Sequence, residues 1–262
     1  MQLTVLNSGS SGNGYVLQNG TEALVLECGV PRQDCLAALG WRTSHVAGCL
    51  LTHEHGDHAK YVRDYAQLMP VYTSHGTAEA LCGNMQPLTC EAPSSCNHHR
   101  AAINVRPLEP LRTVHLGGFA VRPIPARHDA AEPFAYLIDH HGMGCLLFAT
   151  DTYYLRYRIP HLNHLMVECN YSLPILNANI EAGLVPAALK ERTLNSHMSL
   201  EHLREMLAAN DLTRVAQILL IHLSARNADK SAFCREIIAA TGKPTIAATK
   251  GLQIELTPTA PF

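Results

Sequence analysis

No apolar run in this sequence reaches the length of about 20 residues that a membrane-spanning helix takes, so a helical anchor within it is excluded. Neither charge is in excess: 20 Lys and Arg stand against 22 Asp and Glu, a formal charge of −2. That excludes a global basic footprint for nucleic acid, and any such contact must come from a local patch. Charged residues make up only 16% of the chain and hydrophobic ones 47%, which excludes disorder and supplies a sizeable core. There is no internal repeat of fixed period, no low-complexity tract and no linker, so residues 1–262 read as a single domain. The first residues run directly into strand-like Leu3-Thr4-Val5-Leu6, without the basic and apolar regions of a leader. The expected location is cytoplasmic, with no membrane partner. The nine cysteines lack Cys-x-x-Cys pairs, and several sit in apolar runs as small buried hydrophobes rather than disulfide halves. The least regular stretch carries Cys82, Cys90, Cys96, His98 and His99, and reads either as a structural metal site or as an exposed insertion.

What the chain does have is histidine, 16 in all, and its placement organises the rest. The apolar run Gly48-Cys49-Leu50-Leu51 reads as a buried strand that delivers Thr52-His53-Glu54-His55-Gly56-Asp57-His58. His53 and His55 are two apart, so an extended backbone aims both to one side. Asp57 and His58 follow a glycine, where the chain can turn and bring a second pair of ligands beside the first. One loop can thus feed two metals, and imidazole with carboxylate suits Zn, Mn or Fe.

The same pattern recurs. Strand-like runs are expected at 3–6, 15–17, 23–26, 71–73, 103–105, 112–116, 119–124, 134–138, 145–148, 165–167, 218–221, 244–247 and 252–256. Helices are expected at 31–39, 59–68, 77–81, 173–182, 186–193, 200–209 and 231–241, with Ser199 as a cap. His128 falls in a loop at one strand end, Asp151 ends another and His222 a third. A carboxylate such as Asp151, shared between two metals, would complete a dinuclear site; it also reads as a helix cap. The first loop, Asn7-Ser8-Gly9-Ser10-Ser11-Gly12-Asn13-Gly14, reads either as a tight turn or as a cradle of NH groups and hydroxyls for an anion such as phosphate.

Strands ending in His53, His55, Asp57 and His58, then His128, then Asp151, then His222 follow the ligand order of the metallo-β-lactamase fold. The resemblance runs from residue 3 to about 255. It implies an α+β, four-layer αβ/βα sandwich: two mixed β-sheets face to face, outer helices, and a dinuclear site at one edge. It further implies two divalent metal ions, one held by His53, His55 and His128, the other by Asp57, His58 and His222, with Asp151 bridging. Drug-hydrolysing lactamases typically carry a cysteine where Asp151 stands, which argues against that activity. Asn7 to Asn13, Glu168-Cys169-Asn170, Ser196-His197-Met198-Ser199, and His222-Leu223-Ser224 followed by Asn227 are similar to the YycJ/WalJ group. Members of that group are implicated in DNA processing, with 5′-to-3′ exonuclease activity on duplex DNA.

The layout also resembles ribonuclease Z and the PhnP-type cyclic phosphodiesterases. Glu168 and His197 stand where ribonuclease Z places a Glu–His pair beside its metals. Ser196 replaces the expected glycine, and the long arm that grips tRNA is missing, which points away from tRNA. The implied activity is phosphodiester hydrolysis with DNA as the substrate and partner. Asp57 would orient the attacking water, and His197, held by Glu168, would protonate the leaving alkoxide. As a helix-start residue, His197 could instead bond the backbone near Ser199. Ser10, Ser11 and Asn13, with Arg226 and Asn227, are candidate phosphate contacts, and Arg127 and Arg192 would add local positive charge; all of these also read as ordinary surface polar residues. Three alternatives stay open: a small cyclic or linear phosphodiesterase, a thioester or lactone hydrolase, and an idle fold that only binds nucleic acid.

Overall fold

The computed structural model describes residues 1–82 and 104–258. Cys90, Cys96, His98 and His99 lie outside the described residues, so the cysteine-rich metal expectation has no structural counterpart to weigh. The first half opens with antiparallel strands β1 (Gln2–Asn7), β2 (Gly14–Gln18) and β3 (Ala23–Leu26). Helix α1 (Arg32–Ala38) leads to β4 (Val46–Leu50), followed by the short helices α2 (Gly56–Ala59) and α3 (Val62–Ala66). β5 (Val71–Thr73), α4 (His75–Cys82) and β6 (Val105–Pro107) complete it. The second half begins with β7 (Val114–Leu116), β8 (Phe119–Pro125), β9 (Phe134–His140) and β10 (Gly144–Ala149). Then come β11 (Leu162–Glu168), α5 (Leu173–Glu181), α6 (Leu189–Ser196), α7 (Leu200–Ala208), β12 (Gln217–Ile221), α8 (Lys230–Thr241), β13 (Thr245–Ala247) and β14 (Gln253–Glu255).

These strands form two seven-stranded sheets, ordered β14-β1-β2-β3-β4-β5-β6 and β13-β12-β11-β10-β9-β8-β7. Each sheet is antiparallel on one side and parallel on the other: β3 to β6 run parallel in the first, and β10 to β13 in the second. Alternation along the strands sorts the side chains by face. Leu24, Leu26 and Leu50 meet Phe148, Met166 and Ile221 in the layer between the sheets. Val25, Cys49 and Leu51 face outward beneath Cys35 of α1 and Val62 and Tyr65 of α3. Leu147, Val167 and Leu220 face outward beneath Leu203 and Met206 of α7 and Ile237 of α8. Apolar surface is therefore buried on both faces of both sheets, and the four-layer αβ/βα arrangement follows. The described cysteines Cys28, Cys35, Cys49, Cys145, Cys169 and Cys234 carry free thiols. Among the described residues no helix is long and apolar enough to cross a membrane.

Several elements differ from the sequence reading: the helix expected at 186–193 is α6, three residues later, and the strand expected at 165–167 is β11, which begins at Leu162. The single helix expected at 59–68 is two helices, α2 and α3, and the first begins at Gly56. It breaks because the Tyr61 amide leaves the helical ladder and donates to the Cys28 carbonyl at 3.0 Å. Asp57 and His58 consequently sit on the first turn of a helix. The strand expected at 103–105 is β6, two residues later, where the Leu108 amide also reaches the Thr73 carbonyl.

Phe148 packs edge-on against Tyr15 across the sheets, ring centroids 5.6 Å apart. Phe148→Ala is expected to cost about 3–5 kcal/mol through the cavity it leaves, read as a fall of about 10 °C in the thermal midpoint. A shift within a degree or two of wild type would mean that this contact does not hold the sheets together.

Candidate active site

The site lies where the parallel strands of both sheets end, the edge at which open α/β sheets bind their ligands. Leu26 and Leu50 are register partners at the ends of β3 and β4. Glu27 follows the first strand and the segment 52–58 the second. In the other sheet Ala149 pairs with Val167, and Glu168 with Ile221. Asp151, Glu168 and His222 therefore emerge from three adjacent strand ends. His128 comes from the β8–β9 connection and His197 from the end of α6.

Three of the emerging residues adopt the left-handed backbone that favours glycine: Glu27 at φ +67°, Asp151 at +46° and His222 at +51°. Such conformations cost about 1–3 kcal/mol each and persist where the surroundings over-determine them. Here each turns a chain away from its strand just as its side chain enters the site. Gly29 serves the site by absence of bulk. A Cβ there would overlap the Asp57 carbonyl and the Asn13 amide.

The structure brings the histidine-loop residues together with those from elsewhere in the chain. His53, His55 and His128 form one cluster, and Asp57, His58 and His222 a second; the potential ligand atoms within each lie within 4.8 Å of one another. Asp151 stands between the two. Its Oδ2 is 2.7 Å from His58 Nε2, and its Oδ1 lies 3.0 Å from His197 Nδ1 and 3.4 Å from His222 Nδ1. Hydrogen bonds set the tautomers. His128 Nδ1 donates to the Ser196 carbonyl at 2.7 Å, which leaves Nε2 as a lone pair 3.0 Å from His55 Nδ1. His222 Nδ1 lies 3.0 Å from Glu168 Oε1, so Nε2 faces Asp57 Oδ2 at 3.1 Å.

Divalent ions fit this arrangement on its own evidence. His53 Nε2 is buried with no hydrogen-bond partner, inside a cluster whose other nitrogens converge on the same space. A buried imidazole nitrogen aimed at two others and at no donor is what a metal ligand set requires, with bonds of about 2.0–2.1 Å. The partners beyond the ligands are of the kind that orient them. Thr52 Oγ1 lies 3.0 Å from His53 Nδ1, and the Glu27 carboxylate 3.4 Å from His58 Nδ1.

Charge divides the site in two. Burial opposes the charged form of His58 and His222, yet there Asp151 together with the carboxylates of Glu27, Asp57 and Glu168 outweighs it. His222 is pushed up to about 9, and His58 well above its usual value. Burial also opposes charge on His197, but Glu168 and Asp151 raise it to about 10. On the other side burial and neighbouring imidazoles hold His53 well below its usual value, and burial lowers His128. Burial would raise the Asp57 carboxyl, but hydrogen bonds from His222 and His58 keep it well below the usual carboxylate range.

The remaining expected residues fall at different depths. Ser10 lines the cleft over the clusters, a space of about 320 Å³ that Leu189, Arg192 and Thr193 of α6 also border. Ser11 is exposed, and its hydroxyl accepts from Asn7 Nδ2 at 2.9 Å. Asn13 is fully buried, with Nδ2 3.3 Å from Asp57 Oδ2 and 3.1 Å from His58 Nε2. Arg226 donates to the Leu184 carbonyl at 3.0 Å, and Asn227 Oδ1 accepts from Asn179 Nδ2 at 2.9 Å. Neither borders the cleft. Arg192 is held by Asp129 at 2.9 Å, and Arg127 donates to the Tyr153 hydroxyl at 3.1 Å. A wider groove of about 1,040 Å³ beside α7 and α8 contains none of the clustered ligands.

Sequence reasoning missed Glu27, Ser8, Thr152 and the role of Asn170. Ser8 Oγ accepts from the His222 amide at 2.9 Å and from the Tyr15 hydroxyl at 2.8 Å. Asn170 Nδ2 donates to the His222 carbonyl at 2.8 Å. Glu27 carried a legible signal, since it ends the fully apolar strand Ala23–Leu26 just as a carboxylate follows β10.

Fold and site together define a metal-dependent hydrolase, built as a two-sheet sandwich with two adjoining ligand clusters at one edge. A profile described as the beta-lactamase superfamily domain matches residues 31–223, and the chain belongs to that superfamily. It is 27% identical over 238 residues to the exodeoxyribonuclease YycJ of Bacillus anthracis, covering 87% of this chain and 84% of that protein. To the exodeoxyribonuclease WalJ of Streptococcus pneumoniae it is also 27% identical, over 235 residues, 86% of this chain and 82% of the relative. Among solved structures, the metallo-beta-lactamase fold protein YhfI from Bacillus subtilis superposes with a TM-score of 0.69 at 16% identity, over 97% of this chain and 98% of that one. That likeness shows the fold.

Metal loading should release protons. His222, pushed up to about 9, carries a proton in the metal-free fold at neutral pH, while a ligating imidazole must be neutral, so apparent affinity rises with pH until His222 titrates. Titration calorimetry in buffers of different protonation enthalpy measures this, and a heat independent of buffer would contradict it. Gly29→Ala should push Asp57 off its position and lower bound metal, measured by elemental analysis. Metal content equal to wild type would show that the close approach is dispensable.

Proposed function

We propose that this protein is a dinuclear-metal phosphodiesterase that acts as a nuclease on DNA, in the manner of a 5′-to-3′ exonuclease. The observation that carries this reading is the Glu168–His197 pair beside the clusters: His197 Nδ1 donates to Glu168 Oε1 at 2.7 Å. That bond fixes the imidazole with Nε2 left to serve the cleft. A leaving alkoxide has a high pKa and departs poorly unless protonated, and His197, its charge favoured by Glu168 and Asp151, supplies that proton. The two relatives named exodeoxyribonucleases, matched over most of their length, support DNA as the polymer.

His53, His55 and His128 would hold one ion and Asp57, His58 and His222 the other, with Asp151 standing between the two clusters. Such ions, when bound, supply a nucleophile at neutral pH and offset charge on the phosphate. Asp57 Oδ2, between His58 and His222, orients the attacking water. Of the expected substrate contacts Ser10, Ser11, Asn13, Arg226 and Asn227, Ser10 serves at the cleft and Asn13 by holding Asp57 and His58, while Arg226 and Asn227, turned to Leu184 and Asn179, are not assigned that role. A small phosphodiester is the second reading, favoured by a cleft of about 320 Å³, at the low end of ligand pockets.

Protein loaded with Mn, and separately with Zn, should remove label from end-labelled duplex DNA, and Asp57→Asn should abolish the loss. Cleavage of bis-nitrophenyl phosphate with DNA left intact would favour the small-substrate reading, and inactivity on both would overturn phosphodiester chemistry. His197→Ala should depress turnover by about 10²–10⁴-fold on an ester with a poor leaving group, and far less on a nitrophenyl ester. Equal losses on the two esters would remove His197 as the proton donor.

A further inference from the structure

We propose that the exposed face of residues 153–158, together with Arg127, holds a single nucleic-acid strand whose end enters the metal cleft. This rests on the phosphodiesterase reading above and names the form in which that site receives its substrate. The segment follows Asp151 and Thr152 directly and forms neither helix nor strand. Its side chains alternate nonetheless. Leu155 and Ile159 are buried in the outer core of the second sheet, and Tyr157 packs against it. Tyr154, Arg156 and Arg158 point the other way and are exposed, Tyr154 by 41%. The inward residues anchor the strip, and the outward ones present one aromatic ring and two guanidinium groups.

Hydrogen bonds tie the strip to the site. Thr152 N donates to Glu168 Oε2 at 3.1 Å, and Thr152 Oγ1 accepts from the Arg127 amide and donates to the Tyr154 carbonyl, both at 3.0 Å. The Tyr153 amide in turn donates to the Arg127 carbonyl at 3.2 Å. Arg127 immediately precedes His128, and Tyr154 lies three residues beyond Asp151, within about 11 Å of it along the chain. Between Arg127, Tyr154, Arg156 and Tyr157 is a shallow hollow of about 120 Å³. Arg156 lies over the Tyr157 ring, 5.4 Å from its centroid.

Three observations point to a single strand. The chain carries a net charge of −2, yet among the described residues Arg127, Arg156 and Arg158 form no ion pair with an acidic side chain. Exposed tyrosine interleaved with arginine offers ring faces for bases and charge for phosphates, the combination on which unpaired strands are held. The cleft of about 320 Å³ is at the low end of small-ligand pockets and leaves no room for a base-paired end. An end must therefore separate before it enters, and the adjoining strip is where the unpaired strand lies.

The test is equilibrium binding by fluorescence anisotropy, using metal-loaded protein and a phosphorothioate-linked oligothymidylate of about 15 nucleotides, which resists cleavage. Wild type should bind this strand more tightly than a blunt duplex of equal length. Tyr154→Ala should weaken binding by about ten-fold, while Tyr154→Phe, which keeps the ring, should bind as wild type does. Arg156→Ala with Arg158→Ala should flatten the slope of log affinity against log salt by about 1.4. Unchanged affinity in these variants, equal losses for the alanine and phenylalanine exchanges, or no preference for the single strand would overturn the proposal. Hydrolysis of bis-nitrophenyl phosphate by wild type separates the two levels. Hydrolysis without oligonucleotide binding removes the strip and leaves a phosphodiesterase, whereas the binding pattern above without hydrolysis keeps the strip and removes the phosphodiesterase.

Discussion

One buried carboxylate, Glu168 at the end of β11, holds the site together. Its Oε1 faces the Nδ1 atoms of His197 at 2.7 Å and His222 at 3.0 Å, and its Oε2 accepts the amides of Thr152 at 3.1 Å and Met198 at 3.0 Å. A fully buried charge is tolerable only when its lone pairs are satisfied in this way. Burial alone would raise its pKa, but the charge on His197 and the hydrogen bonds of both imidazoles leave it lowered. The four partners come from three separate pieces of the chain: Thr152 in the turn after β10, His197 and Met198 between α6 and α7, and His222 at the end of β12. Glu168 is thus both a positioning group for two imidazoles and the knot that ties the second sheet's loops to one another.

The first sheet has a corresponding device of another kind. There the constraint is steric: Gly29 lets the Asp57 carbonyl and the Asn13 amide close to 2.7 Å of one another, and the Cys28 amide holds the His58 carbonyl at 2.8 Å. Backbone contacts fix where α2 begins, and α2 fixes Asp57 and His58. The imidazole cluster is seated by Thr52 and by the Ser196 carbonyl, with few carboxylates nearby. One side of the site is therefore ordered by charge, the other by packing and backbone hydrogen bonds. The left-handed backbones of Asp151 and His222 lie on the second sheet and that of Glu27 on the first, and their cost of about 1–3 kcal/mol each is offset by the interactions those side chains make.

The candidate ligand residues that the fold brings together were legible in the sequence because most of them follow an apolar run that reads as a buried strand. Position at a strand end is a local property, and local patterns survive in one dimension. What surrounds the ligands is not local. Asn13 looked like a surface loop residue and is buried behind Asp57 because β1 and β2 lie beside β3. Ser8 reaches the His222 amide across 214 positions of sequence, a contact that only the meeting of the two sheets creates. The break between α2 and α3 was invisible for the same reason, since it is made by the Cys28 carbonyl in the loop after β3. Arg226 and Asn227 carry the right chemistry for phosphate, and the fold turns them toward Leu184 and Asn179.

The order in which the ligands occur along the chain has a consequence for synthesis. His53 to His58 emerge early, but His222 follows β12, which must pair with β11 before that imidazole can reach Asp57 and Glu168. Synthesis proceeds from the N-terminus at about 5–20 residues per second, so a chain elongated through β11 already holds the first cluster and lacks a ligand of the second. Hydrolytic competence is deferred until the second sheet is almost complete.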